Sequence, residues 1–271
     1  MVQETTGTLT KEDLAKLPSY KEFYSKFNDG CGGCDRESWV QGLKENFDGQ
    51  HTSISKHTDK IKNTWCCVSK MDKSGQPLYG QRCNFLYYWI GDFLFRNVED
   101  ATMVPVTLSL ICRNIKTTYL SERHGLICET TEKELFNNRK LIFDYWQDYK
   151  TIQSLMKSSD SNCNATYGSY LQSIVAAYNS VNANCTDPAN SKGPYCTKFQ
   201  EMFNGGGIPK PSELICAEEH SEKSSTQHHS GHPELGAAPI VSSALATTIG
   251  IGTAIVFYLY KVIVMNIIFK I

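Results

Sequence analysis

An excess of basic charge is what this chain lacks, and with it goes one large class of partners. The formal charge is −1 over 271 residues, and setting aside Lys261 and Lys270 leaves the first 236 residues at −3. Nucleic acid needs a clustered positive field, so it is not an expected partner. A glycine-rich phosphate loop is missing, and so is a Gly-x-Ser-x-Gly nucleophile elbow. Carboxylates are plentiful, but none stands beside a nucleophile in a recognisable acid–base set. No catalysis and no cofactor are expected. The first nineteen residues, Met1 to Ser19, hold no apolar run of the length a secretory signal requires. One long stretch has no charge at all. Ala237 to Tyr260 contains no Asp, Glu, Lys, Arg or His. At about 1.5 Å per residue it would reach roughly 36 Å as a helix, enough to cross a hydrocarbon layer of about 30 Å.

What is present in abundance is cysteine. All eleven residues (Cys31, Cys34, Cys66, Cys67, Cys83, Cys112, Cys128, Cys163, Cys185, Cys196 and Cys216) precede the uncharged stretch. That number argues for an oxidising compartment and up to five disulfides with one cysteine left over, in a connectivity that spacing does not give. A C-terminal anchor without a leader would instead leave the body in the cytosol, so the two expectations pull apart. Lys261 and Lys270 follow the span, whereas Glu234 is the nearest charge before it. By the positive-inside rule this places the tail inside and the body outside.

The body reads as helical. Residues 11–28 place Leu14, Leu17, Phe23, Tyr24 and Phe27 at three-to-four spacing, with Pro18 starting a fresh helix near Ser19. Residues 38–47 and 52–68 continue as two amphipathic stretches, and residues 71–80, with Gly75 and Pro77, form a loop. Residues 83–98 carry a wide apolar face suited to a central buried helix. Residues 104–119 fit helix or strand by periodicity alone, and their surroundings favour helix. Helical patterns follow at 134–156, 167–181 and 194–203, and Gly205 to Gly207 with Pro209 end the series. Residues 217–236 are polar and rich in Ser, His and Glu, the composition of a flexible stalk. The fold class is therefore all-α: a disulfide-stapled helical ectodomain at 1–216, a stalk at 217–236, a transmembrane helix at 237–260 and a short tail at 261–271.

Some residues invite a chemical reading that their surroundings do not support. Cys31-Gly-Gly-Cys34 has the spacing of a thiol–disulfide redox pair, but no strand–helix unit surrounds it to activate a thiol. Cysteines pinning an N-terminal loop are expected instead. Cys66 and Cys67 are adjacent, which suits two separate disulfides better than one tetrahedral zinc site. His220, His228, His229 and His232 lie in the stalk without a second shell to organise them, so no metal is expected there. Asn164-Ala-Thr166 and Asn184-Cys-Thr186 are glycosylation sequons. Trp65, Trp89 and Trp146 read as core. Ser242, Ala246, Gly250 and Ala254 recur every fourth residue of the span, a stripe that suits self-association of helices in a membrane.

Three segments carry a resemblance. Leu17-Pro18-Ser19-Tyr20-Lys21 with Phe23-Tyr24, Leu86-Tyr87-Tyr88-Trp89-Ile90-Gly91-Asp92, and Lys140-Leu141-Ile142-Phe143-Asp144-Tyr145-Trp146-Gln147-Asp148-Tyr149 together resemble the Plasmodium interspersed repeat proteins, in particular the vivax-type VIR branch. The Pro209–Cys216 stretch and the span fall where that family has them. The resemblance implies Trp89, Asp92, Asp144, Tyr145 and Tyr149 as family core positions. It also implies a variant antigen of a malaria parasite, displayed on or exported to the infected erythrocyte, without catalytic activity. Its partners would be the membrane and a host receptor or antibody. The alternative is an internal parasite or vesicle membrane protein in trafficking or scaffolding. Family members continue past the span with a basic tail. Here Lys261 leads into Val-Ile-Val-Met-Asn-Ile-Ile-Phe-Lys-Ile, which reads as a shortened C-terminus.

Overall fold

Periodicity becomes helix nearly everywhere it was expected. The computed structural model describes residues 8–48, 52–73, 77–119, 125–129, 131–205 and 207–216, all within one compact unit. Among them no strand forms; a single parallel bridge joins Leu9 to Cys163. The stalk, the expected span with Ser242, Ala246, Gly250 and Ala254, and the tail lie outside the described residues. No helix among the described residues is long and apolar enough to cross a membrane.

The chain begins with a short helix, α1 (Lys11–Leu14), where the Asp13 carboxylate accepts from the Thr10 amide at 2.7 Å. Past Pro18 a π-helical turn, Ser19–Tyr24, runs directly into α2 (Ser25–Asp29). Gly30 stops it at φ 77°, a conformation that glycine adopts without penalty. Next come α3 (Ser38–Asp48), α4 (Thr52–Ser55) and α5 (Thr58–Ser69). The stretch 52–68, expected as one helix, is thus broken. The Thr58 hydroxyl donates to the Ser55 carbonyl at 2.7 Å, a local bond that competes with helix continuation.

The central helix α6 (Arg82–Asn97) is buried on most sides, as its wide apolar face requires. It packs on α7 (Val104–Thr118), with Pro105 in the first turn, where the missing N–H does no harm. Two long helices follow, α8 (Lys133–Ser158) and α9 (Ala165–Thr186), and these pack extensively on one another. Asn164 caps α9 by accepting from the Tyr167 amide at 2.9 Å. Then α10 (Pro194–Asn204) opens on proline.

Two hydrophobic cores result. One is aromatic and gathers around α6, drawing in Phe23, Phe27, Trp65, Phe85, Trp89 and Phe136. The other lies between α8, α9 and α10, with Ile142, Tyr145, Ile152, Leu171, Ile174 and Phe199. Trp146 packs against both.

Candidate functional site

The segments that looked most distinctive in the sequence meet on α8. Asp148 is fully buried; its carboxylate accepts from the Ser19 amide at 2.8 Å and from the Ser19 hydroxyl at 2.5 Å. One turn earlier, Asp144 accepts from the Tyr24 hydroxyl at 2.5 Å and from Lys140 Nζ at 2.6 Å. The Lys140 ammonium also sits 4.2 Å from the centre of the Tyr24 ring. The π-helical turn therefore clasps α8 through two buried carboxylates at i, i+4 spacing, with one lysine between them in charge. Burial raises the Asp144 pKa, against the pull of Lys140, and lifts Asp148 to about 7 against its Ser19 hydrogen bonds. Burial and the neighbouring Asp144 charge push Tyr24 far up, so its hydroxyl remains a donor.

Tyr145, on the other side of α8, donates to the Pro209 carbonyl at 2.8 Å and fixes the final segment. Tyr149 lies beyond it with ring centres 6.5 Å apart. On α6, Trp89 Nε1–H donates to Asn28 Oδ1 at 3.0 Å, tying α6 to the end of α2. Asp92 is partly exposed and pairs with Arg96 one turn on. Gly91 is there for space: a Cβ would stand 2.1 Å from the Phe136 ring of α8. Trp65 and Trp89 are buried, as expected, but Trp146 is only half-buried. It stands at the seam of the two cores, where its helix turns one flank outward.

Ten cysteines form five disulfides: Cys31–Cys67, Cys34–Cys66, Cys112–Cys128, Cys163–Cys216 and Cys185–Cys196. Cys83 keeps its thiol, buried at the start of α6. The two cysteines of the Cys-Gly-Gly-Cys segment are bonded across to α5 rather than to each other, so the segment is a staple and not a redox pair. Among the described residues no group of three or more His, Cys, Asp or Glu converges as metal ligands would. The stalk histidines His220, His228, His229 and His232 lie outside those residues. Both sequon asparagines are engaged: Asn164 as the α9 cap, and Asn184 within α9 beside the Cys196 sulfur.

One buried network had no signal in the sequence. Arg139 on α8 pairs with Glu129 at 2.8 Å and lies 3.9 Å from the Tyr195 ring centre. The other Glu129 oxygen accepts from the Tyr195 amide at 2.9 Å. Together these join the segment after Cys128, α8 and the start of α10.

A helical body with hallmark segments converging on one helix can be set beside known proteins. The model of the Plasmodium vivax Vir protein family matches residues 17–261. The chain belongs to the Vir family. No curated protein matches it, and no solved structure does. The match starts at Leu17, the residue that leads into the clasp, and includes all three hallmark segments. Vir membership points to a Plasmodium variant antigen, and the Vir family is not known for enzymatic activity. In this Vir protein the hallmark side chains on α6 and α8 mostly serve to join helices.

Proposed function

We propose that this Vir protein is a variant antigen displayed on or exported to the infected erythrocyte, acting as a non-catalytic adhesion or immune-interaction protein. One observation carries the reading: what is distinctive in sequence lies inside, and two polar segments held by disulfides lie outside. Ser19, Tyr24, Trp89, Asp144, Tyr145 and Asp148 are buried, whereas residues 35–37 and 186–190, beside the Cys34–Cys66 bond and within the Cys185–Cys196 bond, are exposed. Closed polar loops on a cross-linked frame can change sequence with little loss of stability. They are the surfaces offered to a host receptor or an antibody. The uncharged stretch 237–260 supplies the single membrane anchor. Its stripe of Ser242, Ala246, Gly250 and Ala254 supplies a self-association face, tested by whether Gly250→Leu weakens self-association in a membrane assay.

The test is protease shaving of intact infected red cells, with detection by an antibody to residues 1–216 and a permeabilised control. Loss of the full-length band in intact cells supports display at the surface. Protection until permeabilisation overturns it and directs attention to internal membranes.

A further inference from the structure

A cleft of about 240 Å³ opens at the seam of the two cores, between α6, α8, α10 and the residues that precede Cys128. Space of this kind is unusual in a close-packed interior, because atoms lining a gap forgo their dispersion contacts. Its lining is also unlike that of either core. Phe143 and Trp146 contribute rings, while Tyr87, Tyr88 and Tyr195 add phenols, and the sole charged residue on the wall, among those described, is Lys198. No carboxylate lines it among the described residues.

The phenols are held as donors. Burial raises Tyr87 to about 12 and pushes Tyr88 and Tyr195 up as well, so all three remain protonated at any physiological pH. Tyr195 is 6% exposed, and its hydroxyl is buried without a hydrogen-bond partner. A buried donor in that state favours any acceptor that reaches it. Lys198 Nζ lies 5.4 Å from the centre of the Trp146 ring and 3.5 Å from Glu201, which is exposed. A cation near an indole, neutral donors on the same wall and no carboxylate among the described lining residues select for negative charge attached to a flat ring.

We propose that this cleft binds a small aromatic carboxylate, its ring against Phe143 and Trp146 and its carboxylate accepting from the Tyr195 hydroxyl and Lys198. The site is independent of the adhesion reading, which concerns the exposed loops.

Indole-3-acetate is the probe, with indole-3-acetamide as its neutral match, titrated into the full-length oxidised chain and followed by ligand-observed NMR. The acid should bind saturably at one site and the amide several-fold more weakly. Tyr195→Phe removes a hydroxyl that supports nothing in the fold, and should weaken the acid about tenfold. Lys198→Gln, at a half-buried position, should weaken it about two- to fivefold. Circular dichroism and the thermal midpoint verify that both variants fold. Lack of saturable binding by the parent chain overturns the proposal. So does binding that both folded variants leave unchanged, or equal affinity for acid and amide.

Discussion

Around α6 the core is made of rings in contact; around α8 and α9 it is mostly aliphatic, with rings gathered at α10 and polar groups let in at the edge. Phe23 stacks on Phe85 at 4.0 Å, and Phe136 touches Tyr87, Tyr88 and Phe95 at 5.4 to 5.7 Å. Ring-on-ring packing has a fixed geometry and tolerates little added volume. The clasp at Asp144 and Asp148 holds by hydrogen bonds to groups whose protonation can change. The disulfides do not follow this division. Two nested bonds close separations of 36 and 32 residues beside the aromatic core and Cys112–Cys128 closes 16, whereas Cys185–Cys196 closes 11 and Cys163–Cys216 closes 53 in the other. One half is set by the shape of its rings, the other by groups that can change charge.

The comparison breaks first at the disulfides. Cys31→Ser with Cys34→Ser, which removes two bonds, should destabilise the protein by at least about 4 kcal/mol in chemical denaturation, against about 3 kcal/mol for the single bond lost in Cys185→Ser with Cys196→Ser, because two bonds and longer loops restrict the unfolded chain more. Equal losses would dissolve the distinction. Next comes Gly91→Ala, which forces a methyl group into the Phe136 ring. The ring is boxed in by its neighbours, so a loss of about 1–3 kcal/mol is expected from the denaturation midpoint. A neutral result would show that the aromatic core yields where its packing says it should not.

The polar seam should respond to pH in the opposite sense from ordinary acid denaturation. Asp148 has a folded pKa of about 7, above its unfolded value of 3.8. The folded state therefore binds the extra proton between those values. Stability from this group is full below about pH 4 and falls as pH rises towards 7, by at most about 1.4 kcal/mol per pH unit. Asp144 shifts in the same direction. His57 opposes them, since burial lowers its pKa and favours the neutral ring as pH rises. Asp13 and Asp35 are lowered instead, and their effect lies at still more acidic pH. Asp148→Asn should flatten the decline in a pH series of thermal midpoints while keeping an acceptor for Ser19. An unchanged slope would remove Asp148 from the account. The smallest effect belongs to Lys62→Ala. Its Asp35 partner is largely exposed, so the change should stay within about 0.5 kcal/mol.

The helices were legible because each buries a stripe, and a stripe leaves a 3.6-residue period in the sequence. Even the break at Pro18 could be read, since proline lacks the donor a helix needs. The break before Thr58 could not, because a threonine hydroxyl bonding three residues back leaves no mark in the apolar pattern. Trp146 looked like core by its neighbours on one helix, yet it lines a cleft whose other wall is α10, far along the chain. The clasp was hidden for the same reason. Ser19 and Asp148 are 129 residues apart, and neither carries a local sign of the other. Gly91 stood within a recognisable segment, but its need for space comes from Phe136 on another helix.

Cys66 and Cys67 are neighbours on α5, and each is assigned a different partner from two cysteines three residues apart. Exchanging the assignments would close loops of almost the same length, so chain entropy barely distinguishes the right pairing from the wrong one. The difference lies in direction: successive residues of a helix are rotated by about 100°, which turns the two sulfurs to different sides. The selection works only if α5 has already wound when the thiols are oxidised. Helix formation acts here as a proofreading step for covalent chemistry. Any variant that slows α5 should accumulate crossed bonds before it shows a weakened fold.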